Sequence, residues 1–446
     1  MNKLLLVLIM LSVCLPITAA AENTVERQEC HVCGMYIDQF QSTATQLTLK
    51  GGERYETCGV ACMLRFINDR GGPDAFSSLE VHDWTTKTLT PAAEASYVIG
   101  SRIVPDMMPN LIAFKTKEDA EAFRAKEGGE LLTLSQALLS ISPMGMTMPT
   151  RIKTAVVAPK GSLAVGGSYM HMTMDKVKLG SDSVDPLEFV RRPGQMMGPK
   201  KMTVDSEMLM ATYGLTDDLS LSINAAYLQK KMESYRNGGA VTDTTKNYGF
   251  GDIDISARYN LWKNTYYSKF FSLLVGTTLP TGDFKKQFIN MPGLQVGTGD
   301  FTFTGGLLFS HRYKNFWFHY LTSYTTVLEN GDDYKFGDTA RVGAAIHYTP
   351  NYDLMVGLEV DGASLAKDEY LGNKLANTGG FRSNLSGVAE WRFLTALGGN
   401  FSVRGAGGMP IYEDLNHRVG LLERPKLGGG YFVSGSINYS RRFPLF

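Results

Sequence analysis

From residue 161 to the C terminus, apolar and polar residues alternate through one segment after another. Between Leu219 and Tyr227 every second residue is apolar, while Ser220, Ser222 and Asn224 occupy positions between them. Successive side chains of a β-strand point to opposite faces, so this pattern places one face in apolar surroundings and the other in polar surroundings. Two architectures fit the pattern: a soluble β-sandwich, or a closed barrel in a membrane.

The lengths of the segments and of their connections favour the membrane barrel. Many segments are long enough for a tilted membrane-crossing strand. Connections alternate between tight turns, such as Leu215–Asp217 and Lys314, and longer loops, such as residues 175–201 and 281–299, and the last segment is rich in aromatic residues up to Phe446. Short periplasmic turns, long outer loops and an even strand number are typical of bacterial outer-membrane barrels. We predict an all-β antiparallel barrel of about twelve strands, near residues 162–174, 202–213, 218–232, 248–262, 268–280, 300–313, 315–329, 336–349, 352–366, 379–394, 398–411 and 428–443.

Seven charged residues fall on the polar face of the predicted strands. A charged side chain facing lipid costs about 2–4 kcal/mol at the bilayer midplane, so these residues should face a wet or plugged lumen. They are Asp252, Asp254, Arg258, Arg341, Glu359, Asp361 and Arg404.

The N terminus predicts export. Lys3 precedes an apolar run from Leu4 to Ile17, and Ala19-Ala20-Ala21 follows as a cleavage site, so residues 1–21 read as a signal peptide. We therefore expect a protein of the outer membrane, with its N-terminal domain in the periplasm. The formal net charge is zero, which gives no reason to expect a nucleic-acid partner. No catalytic constellation is apparent, so an enzyme is not expected.

The segment between the signal peptide and the barrel carries four cysteines in two pairs, Cys30 with Cys33 and Cys58 with Cys62. A thioredoxin-like redox pair would need a helix directly after Cys33, where Gly34 stands instead. A zinc site would take its second pair from Cys58 and Cys62. Thiolate and thioether groups also select Cu(I), and a structural disulfide is the remaining alternative. The pattern leaves these alternatives open.

Several motifs in residues 28–140 resemble NosL, the copper-binding accessory protein of nitrous oxide reductase. They are Cys30-His31-Val32-Cys33-Gly34-Met35, Cys62-Met63-Leu64, the stretch Ala95–Gly100, Met107-Met108, Ala113-Phe114 and a helical stretch ending near Leu132. The resemblance implies an α+β domain of two ββα-like halves that carries Cu(I) in the periplasm.

The same resemblance implies Cys33 and Met35 as Cu(I) ligands, with Met107 or Met108 as a third and His31 as a nitrogen donor. Cys58 and Cys62 go beyond the family pattern, and the barrel is a second departure, because NosL proteins end after this domain. The whole candidate set for Cu(I), with Ag(I) as its analogue, is Cys30, His31, Cys33, Met35, Cys58, Cys62, Met107 and Met108.

A second candidate for soft metal ions is a run of methionines: residues 144–210 hold eleven of the 21 methionines in the chain. In each of the first two predicted strands they recur at even spacing on the face with small polar residues, and paired strands bring such rows side by side. We interpret them as a thioether track for Cu(I) or Ag(I), with packing as the alternative. The track comprises Met144, Met146, Met148, Met170, Met172, Met174, Met202, Met208 and Met210.

The sequence thus divides into a signal peptide (1–21), a NosL-like domain (22–140), a Met-rich linker (141–160) and a barrel (161–446). The stretch Leu279-Pro280-Thr281-Gly282-Asp283 resembles a transporter-like barrel family first noted near phenol-degradation genes. We predict that the protein moves or buffers Cu(I) at the outer membrane, with lipid and a periplasmic copper protein or copper enzyme as partners. The alternative is a channel for small organic solutes with a disulfide-stabilised or redox periplasmic domain.

Overall fold

The computed structural model describes residues 27–70, 72–141, 148–264, 268–397, 399–418 and 424–443. The predicted signal peptide, residues 142–147 of the Met-rich linker (including Met144 and Met146) and Phe446 lie outside these residues. No helix among the described residues is long and apolar enough to cross a membrane.

The N-terminal domain consists of two α+β halves, as predicted. Each half begins with two strands and a helix and then adds further strands to its sheet, in the orders β2-β1-β3-β4 and β6-β5-β7. The strands are β1 (Thr45–Leu49), β2 (Arg54–Thr57), β3 (Phe76–His82), β4 (Leu89–Pro91), β5 (Ser96–Ile99), β6 (Leu111–Phe114) and β7 (Glu130–Leu132). The helices are α1 (Val60–Asp69), α2 (Lys117–Glu127) and α3 (Leu134–Ile141), with 3-10 turns at Ile37–Phe40 and Pro73–Ala75.

One closed antiparallel sheet of twelve barrel strands forms the C-terminal part, which confirms the predicted fold. The sheet closes because the first strand pairs with both the second and the last. The strands are β8 (Ser162–Met174), β11 (Met197–Gly214), β12 (Leu219–Arg236), β14 (Ile253–Lys263), β15 (Lys269–Leu279), β16 (Thr302–Tyr313), β17 (Phe316–Val327), β19 (Thr339–Tyr348), β20 (Leu354–Leu365), β23 (Gly380–Ala396), β24 (Gly399–Leu415) and β26 (Phe432–Arg442).

The remaining short elements lie in the connections. One strand, Val241–Phe250, continues the fourth barrel strand outward along β12. Two three-stranded sheets and a one-turn helix build the long loops. These elements are β9 (Lys176–Leu179), β10 (Asp182–Val184), β13 (Val241–Phe250), β18 (Tyr334–Lys335), β21 (Glu369–Tyr370), β22 (Asn373–Lys374), β25 (Lys426–Gly428), α4 (Pro186–Val190) and the 3-10 turns Asn237–Gly239, Lys286–Phe288 and Pro292–Leu294.

The burial of the barrel strands follows the alternation read from the sequence. Outward residues such as Leu209, Val342 and Ile437 are strongly exposed, whereas inward Ser220 and Ser272 are fully buried. An apolar belt around a closed sheet is what a lipid bilayer requires, since closure satisfies every backbone hydrogen bond within the protein. The protein is therefore an outer-membrane barrel, and its N-terminal domain lies on the periplasmic side, with the short turns.

The lumen is occupied by the chain itself. Residues 150–158, which precede β8, enter the barrel, and Ile152, Ala155 and Val156 pack against inward apolar side chains there. These inward side chains are Phe270, Leu274, Leu308, Trp317, Leu321 and Ala345. We predicted a lumen that is either wet or plugged. At the depth of these residues the lumen is plugged.

Several of the seven predicted inward charges hold the segment in place, whereas Asp252 lies in the connection between β13 and β14 and Arg404 pairs with Glu390. The carboxylate of Glu359 accepts hydrogen bonds from the backbone N–H groups of Thr150 and Arg151, both at 2.7 Å, and Asp361 pairs with the Arg151 guanidinium at 3.0 Å. Buried Arg258 donates to the carbonyl oxygens of Thr154 and Val156. A segment without its own secondary structure must find partners for its backbone groups when it is buried, and these luminal side chains supply them.

The N-terminal domain docks on the turns at the periplasmic mouth. Gln136 donates to the Asn315 side chain at 3.0 Å, and the Tyr352 hydroxyl donates to Asn68. The Tyr352 ring also packs against the core of the N-terminal domain, while the Arg392 guanidinium lies 3.1 Å from its centroid on the other side. The domain thus covers part of the mouth.

We predict that Arg258→Ala loosens the inserted segment. The substitution leaves two buried carbonyl oxygens without a donor, which costs about 1–3 kcal/mol and shifts the equilibrium towards a displaced segment about tenfold or more. Trypsin should then cleave after Arg151 or Lys153 at least several-fold faster in detergent-solubilised protein. Ion conductance in planar bilayers should also rise. Lys246→Ala, at an exposed position, is the control, and equal cleavage rates for the two variants would contradict the prediction.

Candidate metal centre

The first pair of cysteines lies in a tight loop closed by its own backbone. Cys30 N–H donates to the carbonyl of Met35 at 2.8 Å, and Gly34 N–H donates to the carbonyl of Cys30 at 2.9 Å. Gly34 has a φ of 73°, a left-handed conformation that glycine adopts without strain. The loop turns the thiols of Cys30 and Cys33 towards the domain, whereas His31 is exposed and contacts the Tyr55 ring edge-on.

The second pair of cysteines comes from the junction of β2 and α1. Cys58 follows β2, and Cys62 lies in the first turn of α1; both are fully buried. Thr43 fixes this junction by donating its hydroxyl to the carbonyl of Cys58 at 3.0 Å. All four Sγ atoms lie within 4.8 Å of one another, with Cys33 at 3.5 Å and Cys62 at 3.6 Å from Cys58. We call Cys30, Cys33, Cys58 and Cys62 the cysteine cluster.

A methionine from the second half of the domain completes the sulfur set. The Sδ atom of Met107, in the β5–β6 loop, lies 2.9 Å from the Sγ atom of Cys62. Arg65 contacts the same Sδ atom and donates to the carbonyl of Met108, which holds the loop against α1. Met108 itself is 37% exposed, and Met35 packs at the edge of the cluster. Of the two adjacent methionines, Met107 is thus the one in contact with a thiol.

The thiols of Cys30, Cys58 and Cys62 differ in their pKa. Hydrogen bonds from the thiols of Cys58 and Cys62 lower the pKa of the Cys30 thiol, and the same bonds to Cys30 raise the pKa of Cys58 and Cys62. Burial raises the pKa of the neighbouring Asp106 to about 6. The thiolate of Cys30 therefore forms readily while Cys58 and Cys62 keep their protons, so a metal ion that binds several thiolates must displace protons.

A cavity of about 1660 Å³ lies between the cysteine cluster and the periplasmic mouth of the barrel. Cys30, Cys33 and Met107 line it on one side, and the barrel contributes Asn260 and Phe270 on the other. The inserted segment reaches the same cavity at Val157 and Pro159. The cluster thus opens towards the lumen entrance.

The methionines of β8 and β11 lie on the inward face, as we predicted, but they fall into two groups. Met202 lies opposite Met174 on one neighbouring strand and opposite Met232 on the other. These three residues and Met172 pack in an apolar cluster with loop residues such as Phe189. Met170, Met208 and Met210 lie outside that cluster, and Met148, half-buried, precedes the inserted segment. The thioether track stays a prediction for this second group, whereas the first group has packing partners.

Sequence reasoning missed several residues that the structure brings to these sites. Arg65 and Asp106 lie beside Met107, yet no local pattern in the sequence marks them. The sequence also gave no indication that the hydroxyl of Thr154 contacts the luminal His319, at 3.2 Å. Arg65 and Met107 are 42 positions apart, and Thr154 and His319 are 165 positions apart, so periodicity and motif spacing could not identify these two contacts.

Comparison with protein families supports both predicted resemblances. Residues 22–138 match the NosL family, and residues 205–388 match the family described as "Putative MetA-pathway of phenol degradation". The two resemblances that we inferred from the sequence are thereby confirmed, one for each part of the chain.

Individual proteins match one part of the chain at a time. The copper-binding lipoprotein NosL of Stutzerimonas stutzeri is 32% identical over 125 residues, which cover 26% of this chain and 65% of that protein. The copper chaperone NosL from Shewanella denitrificans is 28% identical over 24% of this chain and 86% of its own, with a TM-score of 0.23. The COG4313 outer membrane channel from Pseudomonas putida F1 is 16% identical over 66% of this chain and all of its own, with a TM-score of 0.48.

We predict that Met107→Leu and Met108→Leu differ in their effect on Cu(I) affinity. Leucine keeps the volume of methionine but removes the sulfur, so neither change should unfold the domain. Met107→Leu should weaken Cu(I) binding about tenfold, equal to about 1.4 kcal/mol, because a thioether in contact with Cys62 is lost. Met108→Leu should leave the affinity unchanged. Anaerobic competition with a chromogenic Cu(I) chelator measures both, and equal affinities would remove Met107 from the ligand set.

Proposed function

We propose that this protein binds Cu(I) in the periplasm at the cysteine cluster and Met107, and exchanges it at the mouth of an outer-membrane barrel. The observation that carries the proposal is the convergence of four thiols and one thioether in a buried site. Sulfur donors are soft, and they favour Cu(I) and its analogue Ag(I) over hard cations. The match of residues 22–138 to NosL, together with a relative named a copper-binding lipoprotein, supports the same ion.

Zn²⁺ is the main competitor for this site, because four cysteines also form structural zinc sites. Two features favour Cu(I). The thioether of Met107 touches a cluster thiol. Thioethers are soft ligands that suit Cu(I), whereas zinc sites in proteins are built from Cys, His, Asp and Glu. The cluster also lines a large cavity, which leaves a bound ion accessible for exchange, whereas a structural zinc ion is a permanent part of the fold. An exchangeable Cu(I) ion fits an open site better than a permanent zinc ion does.

The position of the cavity supports exchange in two directions. A periplasmic copper protein or copper enzyme would reach the cluster from the side of Cys33, which is the least buried of the four cysteines. On the opposite side, the cavity leads to the inserted segment and the lumen. In this proposal Met170, Met208 and Met210, on the paired strands β8 and β11, would offer further thioethers within the barrel. The proposal concerns binding and exchange of Cu(I), and it does not require net transport in either direction.

The proposal predicts that anaerobically purified full-length protein binds Cu(I) through sulfur alone. X-ray absorption at the copper edge should show sulfur neighbours. Cys58→Ser should weaken binding by about tenfold or more, because Cys58 contacts the other three thiols of the cluster. Zn²⁺ should not displace the bound Cu(I). Two results would overturn the proposal: all four cysteines oxidised in the native protein, or a site that prefers Zn²⁺.

A second candidate function is a channel for small organic solutes, which the match of residues 205–388 to the phenol-degradation family favours. The triple variant Met170→Leu, Met208→Leu and Met210→Leu separates the two functions. If thioethers carry the ion through the lumen, Ag(I) entry into proteoliposomes should fall several-fold, since leucine offers no donor. An organic-solute channel should be indifferent to the change. Met409→Leu, on the lipid-exposed face, is the matched control.

A further inference from the structure

The cysteine cluster holds more sulfur donors than one Cu(I) ion uses. Four thiols and the thioether of Met107 converge on it, and Met35 packs at its edge. Cu(I) is a soft ion that prefers sulfur ligands, and it binds few of them at once. Cys58 and Cys62, which go beyond the NosL pattern, double the number of thiols. The surplus leaves donors for a further ion.

The contacts among these sulfur atoms form two sets that share one thiol. In the first set, the Sγ atom of Cys58 lies 3.5 Å from that of Cys33, and Cys58 is hydrogen-bonded to Cys30. In the second set, the Sγ atom of Cys62 lies 3.6 Å from that of Cys58 and 2.9 Å from the Sδ atom of Met107. Thiolates bind Zn²⁺, a closed-shell ion like Cu(I), at about 2.3 Å, so two sulfur atoms on one such ion are at most about 4.6 Å apart. Neighbouring members of each set are therefore close enough to bind the same ion.

The charge around the cluster favours more than one cation. Gly59 follows Cys58, and the carboxylate of Asp106 occupies the space beside it, where a Cβ atom would clash with Oδ2. Arg65 offers one positive charge where it contacts Met107. Several thiolates beside a carboxylate would carry several negative charges, and buried charges require partners of opposite sign. A second Cu(I) ion supplies such a partner when it replaces protons on the thiols.

We propose that the cysteine cluster binds two Cu(I) ions as a dinuclear centre, with the Cys58 thiolate as the bridge between them. Cys30 and Cys33 complete the coordination of the first ion, and Cys62 and Met107 complete that of the second. Cys58 fits the bridging role because it contacts the other three thiols. The inference rests on Cu(I) binding at the cluster, as proposed above, and it adds the second ion and the bridge.

The two ions differ in their access to the cavity. Cys33 is half-buried and lines the cavity together with Cys30, whereas Cys58 and Cys62 are fully buried. An ion that arrives from the cavity reaches Cys30 and Cys33 directly, and it can pass to Cys62 by exchange of ligands at Cys58. The second ion joins the two halves of the domain, since Cys62 lies on α1 and Met107 in the β5–β6 loop. The first ion is therefore the exchangeable one, and the second ion holds the site together.

The test uses full-length protein in detergent, reduced and kept free of oxygen. Cu(I) is supplied as its complex with an excess of a chromogenic chelator, which keeps weaker sites made of thioethers alone empty. We expect two Cu(I) ions per chain at saturation. X-ray absorption at the copper edge should show a copper neighbour in addition to sulfur, because a bridging thiolate holds the two ions close together. One Cu(I) per chain, or two without a copper neighbour, would overturn the proposal.

Substitutions in each set test the assignment of ligands. Cys33→Ser and Cys62→Ser should each reduce the count to one Cu(I) and abolish the copper neighbour, while the other ion stays bound. Cys58→Ser should abolish the copper neighbour as well, because it removes the bridge. Met108→Leu is the matched control and should keep two ions, since Met108 is adjacent to Met107 but exposed. Two bound ions with a copper neighbour in Cys62→Ser would overturn the assignment.

The number of bound ions separates this proposal from the Cu(I) function on which it rests. A chain that binds one Cu(I) retains that function and lacks only the second ion and the bridge. A chain that binds no Cu(I) loses both. The count and the copper neighbour are measured on the unaltered protein, so the result does not depend on how well a variant folds.

Discussion

Closure of the sheet is the constraint on which the rest of the structure depends. In a bilayer the backbone must satisfy its own hydrogen bonds, and pairing of β8 with β26 leaves no free edge in the barrel. Closure also creates an interior in which inward residues are confined together. Glu359, Asp361 and Arg258 are tolerable there because the segment at residues 150–158 supplies their partners. The segment is stable there for the same reason, since these side chains satisfy its backbone.

The inserted segment links the two parts of the chain mechanically. It begins after the domain that carries the cysteine cluster, reaches the depth of Glu359 and returns to the rim, where Lys160 N–H donates to Asp217. The domain itself rests on the turns around Asn315 and Tyr352. Displacement of the segment would therefore involve the interface, the cavity and the lumen together. Metal binding at the cysteine cluster offers a way to bias that equilibrium, because a ligand stabilises the state that it prefers.

The donor chemistry of the cysteine cluster follows its surroundings. The cluster borders a cavity at the periplasmic mouth and offers sulfur atoms, which suit Cu(I). The methionines of the first two barrel strands fall into two groups. Met202 and Met174 pack with the outer loops, whereas Met208 and Met210 remain outside that cluster.

Much of this architecture could be predicted from local sequence, because period-two alternation and turn spacing reflect nearest neighbours along a strand. Local patterns were enough to predict the twelve strands and the inward charges, and short motifs were enough for the family resemblance of both parts. The spacing of the cysteines also showed that Cys30 lies close to Cys33 along the chain, and Cys58 close to Cys62. Only the tertiary structure decided that the four cysteines form one cluster with Met107 and that residues 150–158 enter the lumen. It also decided that His347 lies next to both His319 and Glu359. These contacts join residues far apart in sequence, and they arise when the sheet closes and the domain docks. Residues 150–158 show no regular apolar pattern, so the local sequence does not indicate that they fill the interior of the barrel.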